Sequence, residues 1–135
     1  PYRLYRVTHK LNARLMTRLR ARHINPSKWR VLSVLKAHGH LSINGIVDAA
    51  LMEQPTASRV VARLEKEGRV TRRPSEHDFR VAEISLTPAG TAAFNEIVPA
   101  ARNHEELAFR NVSRKEVRAL VAVLEKIERN IQFHD

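Results

Sequence analysis

Glu53-Gln54-Pro55-Thr56-Ala57-Ser58-Arg59-Val60-Val61-Ala62-Arg63-Leu64-Glu65-Lys66-Glu67-Gly68 leads without a break into Arg69-Val70-Thr71-Arg72-Arg73-Pro74. Past a polar tip, the chain continues Arg80-Val81-Ala82-Glu83-Ile84-Ser85-Leu86. Pro55 suits a first helical turn, where a missing amide donor costs nothing. A helix therefore runs to about Glu67, burying Val60, Val61 and Leu64, and Gly68 stops it. Residues 69–74 and 81–86 read as two short strands joined by the turn formers Ser75, Glu76, His77 and Asp78. Upstream, Ser42 caps a short helix through about Ala50, with Ile43, Ile46 and Val47 turned inward. Two short helices followed by a basic hairpin make a winged helix-turn-helix. Such a unit reaches the base edges and the backbone of duplex DNA at once.

Outward from this unit, Leu4, Val7, Leu11, Leu15 and Leu19 recur at three- and four-residue spacing, so residues 3–22 form a helix with one buried face. Arg3, Arg6, Lys10, Arg14 and Arg18 run beside that face as a basic stripe. Asn25-Pro26 gives a cap and a first-turn proline to a helix that reaches about Ala37, buries Trp29, Leu32 and Leu35, and stops near Gly39. Thr87-Pro88 repeats that signal for a fifth helix, which Pro99 is expected to kink or break. Ser113-Arg114-Lys115-Glu116 fits a capping box for a sixth helix burying Val117, Leu120, Val121, Leu124, Ile127 and Ile131. The expected class is mainly α with a small β-hairpin wing, in the order α1-α2-α3-α4-β-β-α5-α6. The terminal apolar stripes are longer than one small module can cover. Homodimerisation through α1, α5 and α6 is the simplest solution, and two-fold symmetry would set two recognition helices on successive major grooves.

Composition narrows the function. A chain of 135 residues is long enough for one domain with a real core. It carries 24 Lys and Arg against 14 Asp and Glu, a net charge of +10. Residues 1–47 hold ten of those cations and no acid, so the whole excess sits in the first third. Such a field attracts polyanions, nucleic acid foremost; the plainer reading is a solvated arm that keeps the chain in solution. Cysteine is absent, which removes disulfides and thiolate metal sites and permits a cytoplasmic compartment. No run approaches the ~20 apolar residues of a membrane span, no signal-peptide pattern opens the chain, and no membrane partner is expected. His9, His23, His38, His40, His77, His104 and His134 show no recognised zinc spacing, so no metal is expected and no cofactor either. No nucleophile elbow, metalloprotease motif, phosphate loop or dinucleotide fingerprint supports an enzyme.

Asp78-Phe79-Arg80-Val81-Ala82-Glu83-Ile84-Ser85-Leu86-Thr87-Pro88-Ala89-Gly90 resembles the wing signature of the MarR family of bacterial regulators, Asp-x-Arg followed after five residues by Leu-Thr-x-x-Gly. Gln54 to Gly68 is similar to that family's recognition helix and exit, at the matching distance. Met52 stands where the family's turn often has Gly. The resemblance spans nearly the whole chain and implies a single MarR-type domain over 1–135. Residues 26–90 would be the DNA-binding lobe; 1–25 and 91–135 would supply dimerisation helices. It further implies a dimeric transcription factor on a pseudo-palindromic operator. Members commonly repress genes for efflux, stress response or aromatic catabolism, and many leave DNA when a small anionic or phenolic ligand binds.

The expected DNA contacts are Ser42, Gln54, Pro55, Thr56, Ser58, Arg59, Arg63, Arg72, Arg73, His77, Asp78 and Arg80. Gln54, Thr56, Ser58 and Arg59 lie in the turns that enter a major groove. There Gln suits adenine, Arg suits guanine, and a Thr methyl suits thymine. The plainer alternative makes Gln54 and Thr56 helix-end polar groups and Arg59 a phosphate clamp. Arg63, Arg72 and Arg73 suit phosphate, and a protonated His77 could join them. By resemblance, Arg80 is the wing-tip arginine of the minor groove, where it would read width and potential. Asp78 would orient it or close the turn, the plain alternative being a surface ion pair. The resemblance also places an effector cleft between α1, α2 and the recognition helix, which His9, Trp29, Ser33 and Arg59 could line for an aromatic carboxylate. Against this, Trp29 as simple core is the default. Two functional alternatives stand beside the repressor: an effector-independent, promoter-occluding DNA binder, and a winged-helix module holding an acidic protein.

Overall fold

A computed structural model of the chain describes residues 1–132. Its elements are α1 (Tyr2–Arg20), α2 (Pro26–His38), β1 (His40–Leu41), α3 (Ile43–Ala50), α4 (Gln54–Lys66), β2 (Val70–Pro74), β3 (Ala82–Leu86), α5 (Pro88–Ala108) and α6 (Arg114–Gln132). They form two compact units, residues 1–104 and the segment from Glu105 onward. His134, among the histidines weighed above, lies outside the described residues.

Local signals account for most helix starts in the first unit. The Asn25 side chain accepts from the Lys28 amide at 2.8 Å, and Pro26 fills the first helical position of α2. The Ser42 hydroxyl accepts from the Gly45 amide at 3.0 Å and opens α3. Helix α4 starts at Gln54 with no side-chain cap, and Pro55 sits in its first turn. Val31, Leu32, Leu35, Ile46, Ala57, Val61, Leu64 and Ile84 are fully buried together, so α2, α3, α4 and the sheet share one core. Lys28 of α2 also meets Glu67, just past α4, at 2.5 Å.

The wing is one edge of a three-stranded sheet of order β1-β3-β2. In the hairpin, Val70 faces Leu86, Arg72 faces Ile84 and Pro74 faces Ala82. On the other side of β3, His40 faces Ser85 and Leu41 faces Ile84. The expected hairpin thus has a third strand. A two-residue strand carries no alternation from which to read it.

Three further expectations change. The helix-turn-helix reversal is made at Leu51, left-handed at φ 52°, one residue before Met52. Met52 itself is buried, its amide bonded to the Val47 carbonyl at 3.1 Å, so no glycine is needed there. Helix α5 is not broken at Pro99 but continues to Ala108, since a helix with more than two turns on either side outlasts the loss of one ladder bond. Along α1 only Leu19 is buried; Leu11 and Leu15 are half-buried, and Leu4 and Val7 are exposed.

In the second unit, the capping box closes α6 as expected. The Ser113 amide donates to Glu116 at 2.8 Å and the Glu116 amide to the Ser113 hydroxyl at 3.1 Å. Along the apolar stripe of α6, Leu120, Val121, Ile127 and Ile131 are exposed, and Val117 and Leu124 half-buried.

The junction between the wing and α5 is a clasp built by Thr87 and Gly90. The Thr87 hydroxyl donates to the Gly68 carbonyl at 2.6 Å and accepts from the Gly90 amide at 3.1 Å. The Thr87 amide donates to the Arg69 carbonyl at 3.0 Å. A Cβ on Gly90 would fall on that same Arg69 carbonyl oxygen, so only glycine lets the backbones approach. Gly90→Ala should therefore cost about 1–3 kcal/mol, as overpacking of a close contact does. Urea unfolding reads this as a lowered midpoint, and an unchanged midpoint would contradict the clasp.

Candidate nucleic-acid interface

Residues at ~100° spacing sort α4 into two faces. Ala57, Val61 and Leu64 are buried, and the side opposite them carries Pro55, Arg59 and Arg63, all exposed. Neither arginine has an acidic partner among the described residues. Gln54 is exposed, and its amide nitrogen donates to the Ser58 hydroxyl at 3.1 Å, one turn on. That bond holds the amide while leaving its carbonyl oxygen open to a donor. Thr56 and Ser58 are half-buried at the flank. Ser42 is spent on its helix cap, so what it offers a partner is the start of α3.

The wing tip is a hydrogen-bonded turn. The Val81 amide donates to the Asp78 carbonyl at 3.0 Å, which makes Phe79 and Arg80 the central residues. The Asp78 carboxylate accepts from the Arg80 amide at 3.0 Å and from its Nε at 3.2 Å. Asp78 thus both closes the turn and orients the arginine, two tasks that sequence alone left as alternatives. The Arg80 side chain is still 91% exposed, so its outer nitrogens remain available. Below the tip, the Ser75 amide donates to the Val81 carbonyl at 2.8 Å, and the Ser75 hydroxyl accepts from the His77 amide at 3.2 Å.

Of the strand cations, Arg72 is paired with Glu65 of α4 at 3.3 Å, which offsets part of its charge. Arg73 is exposed. Arg73 and His77 line a cavity of about 300 Å³ with His40, Pro74, Glu76 and Glu83, in which His40 Nδ1 lies 3.4 Å from Glu83. Among the described residues, no three His, Cys, Asp or Glu converge as metal ligands.

Of the four residues expected in an effector cleft, Trp29 and Ser33 sit one turn apart on α2, and only Trp29 lines the groove found there. Trp29 stacks on Phe94 of α5, ring centroids 5.0 Å apart and planes 13° apart. It also lines a groove of about 620 Å³ with Thr8, Asn12, Leu15 and Met16 of α1 and with Asn25, Pro26, Ser27 and Arg30. His9 instead stacks on Tyr5, the Ser33 hydroxyl donates to the Trp29 carbonyl at 2.7 Å, and Arg59 lies on the outer face of α4. The cation in the groove is Arg30. Its only sequence signal was its position beside Trp29, while Thr8, Asn12 and Leu15 share one face of α1 at helical spacing.

A sequence model of the MarR family matches residues 24–80. A MarR-family transcriptional regulator from Silicibacter pomeroyi is 31% identical, with a TM-score of 0.89 over all of this chain and 91% of that one. The chain belongs to the MarR family. The HTH-type transcriptional repressor IacR of Pseudomonas putida is 26% identical over 131 residues, covering 97% of this chain and 78% of the repressor. BpsR of Bordetella bronchiseptica is 25% identical at a TM-score of 0.83, covering 94% of this chain and 96% of that one; its structure is described as the mechanism by which 6-hydroxynicotinic acid regulates its DNA binding. The chain is thus a transcriptional regulator on a winged helix-turn-helix scaffold. No described helix is long and apolar enough to cross a membrane.

Because two of the tip's bonds end on one carboxylate oxygen, Asp78→Ala should loosen the turn without disturbing the core. Amide hydrogen exchange should quicken at Arg80 and Val81 while Val61 and Leu64 keep their protection. Unaltered exchange at the tip would contradict the assigned role of Asp78.

Proposed function

We propose that this MarR-family chain acts as a homodimeric, sequence-specific repressor that leaves its operator when a small aromatic or anionic ligand binds. The observation that carries the DNA-binding half is the pairing of an exposed Pro55–Arg59–Arg63 face on α4 with an arginine held outward by Asp78. In this reading α4 enters a major groove, where Gln54, Thr56, Ser58 and Arg59 read base edges. Arg63, Arg72, Arg73 and His77 meet phosphate. Arg80 enters the adjoining minor groove. The start of α3 at Ser42 offers amide donors to the backbone.

A second copy of the chain is what the uncovered apolar side chains need. Tyr2, Leu4, Tyr5 and Val7 are exposed on α1, and Leu120, Val121, Val123, Ile127 and Ile131 on α6. Each fully buried aliphatic side chain contributes about 1.5–3 kcal/mol. Two-fold pairing through these helices gives a pseudo-palindromic operator as its natural counterpart.

The ligand half rests on the groove at Trp29. Its aromatic wall and the Arg30 guanidinium suit an aromatic carboxylate, in line with the 6-hydroxynicotinic acid response of BpsR. Lys28 lies between the groove residues Ser27 and Trp29 and is bonded to Glu67 at the end of α4. An occupant that shifts the first turn of α2 would thereby pull on the recognition helix.

Arg80→Ala should weaken binding to duplexes selected by the wild-type protein from random DNA, with dimer and melting temperature unchanged. The slope of log affinity against log salt should shrink by up to about 0.9, the share of the one condensed counterion that a guanidinium in the groove displaces. Unchanged affinity would contradict the wing assignment. Titration with 6-hydroxynicotinate or salicylate should alter the fluorescence of Trp29, the only tryptophan, and lower operator affinity in parallel. No change in either signal would remove this ligand class.

A further inference from the structure

Phe79 is a large apolar side chain placed where burial within the chain is out of reach. It is 83% exposed, the most exposed large hydrophobic residue at the wing, and Val81 two residues on is also exposed. The turn that presents it is held at both ends, by the Val81 amide on the Asp78 carbonyl and by the Asp78 carboxylate on Arg80. Phe79 therefore sits beside Arg80 on a fixed turn and not on a free loop.

We propose that Phe79 is an apolar wedge that enters the minor groove with Arg80 and opens a base step there. The proposal rests on the wing's contact with DNA and adds a second kind of reading to it. An aromatic ring in the minor groove packs on sugar edges and pries at stacked bases, as apolar wedges of other minor-groove proteins do. Pyrimidine–purine steps unstack most easily, so Phe79 favours a TA or CA step beneath the wing at a position that no hydrogen bond reads. Charge selects the occupant. Arg80, next in the turn, is an exposed cation beside the ring, and Arg73 adds a second exposed cation on strand β2 of the same wing, which matches a polyanion better than an apolar protein surface.

The two side chains contribute through different physics, which makes them separable. Arg80 acts through charge and is sensitive to salt; the Phe79 ring acts through apolar contact and is not. The test uses the whole chain of 135 residues and a duplex selected by the wild-type protein, with 2-aminopurine placed in the step under the wing. The wild-type protein should raise 2-aminopurine fluorescence on binding, whereas Phe79→Ala should not. Phe79→Ala should lose affinity by about tenfold, a loss typical of one base contact, with the salt slope unchanged. Phe79→Leu, still apolar, should keep most of the affinity. Circular dichroism of Phe79→Ala should match wild type, because the residue is 83% exposed. If Phe79→Ala binds and brightens the probe as wild type does while Arg80→Ala is weakened, the wedge is refuted and the wing contact stands. If neither substitution alters binding, the wing contact itself fails, and the wedge with it.

Discussion

The contact on which the rest of the first unit depends is the approach of the Arg69 carbonyl to the start of α5. Gly90 leaves the space for it, and Thr87 bonds to both sides of it. Through this one junction, the exit of α4, the first residue of the wing and the first turn of α5 are fixed together. The Leu-Thr-x-x-Gly spacing follows directly: the threonine caps the helix, and three residues later the chain passes the carbonyl. A larger residue at 90 would separate the wing from the helix that anchors it.

Charge is divided from shape in this molecule. The net excess lies in residues 1–47, along α1 and α2, while α4 and the wing carry nearly balanced charge with chosen residues left free. Glu65 partly neutralises Arg72, and Asp78 steers Arg80 without covering it. A surface pair such as Asp78–Arg80 contributes under about 1 kcal/mol, so its worth lies in orientation and not in stability. In the proposed function, attraction to a polyanion falls to the flanks, and choice of position to α4 and the wing.

The sequence showed most where a local signal completes itself within four residues. Asn25-Pro26, Ser42 and the Ser113–Glu116 box each close a helix end with a bond that the structure contains. The wing was equally legible, because alternating strands and a polar turn leave a pattern. Features that depend on distant chain were not. Strand β1 has two residues and exists only because β3 lies beside it. The left-handed turn at Leu51 breaks the preference of its own residue type, since the surrounding packing, with Met52 buried, overrides about 1–2 kcal/mol of local strain. The groove at Trp29 brings α1 against the start of α2. Spacing along one helix could suggest Thr8, Asn12 and Leu15 as a face, but not that Arg30, rather than Arg59, supplies its cation.

The central claim is that one dimer sets two α4 helices and two wings on a two-fold DNA site. Hydroxyl-radical footprinting on a duplex selected from random sequence measures this directly. The account predicts two protected half-sites about 10 base pairs apart, centre to centre, each flanked on its outer side by a protected minor groove that reappears on Arg80→Ala. Even protection along any duplex, without symmetry and without a change on Arg80→Ala, would contradict it.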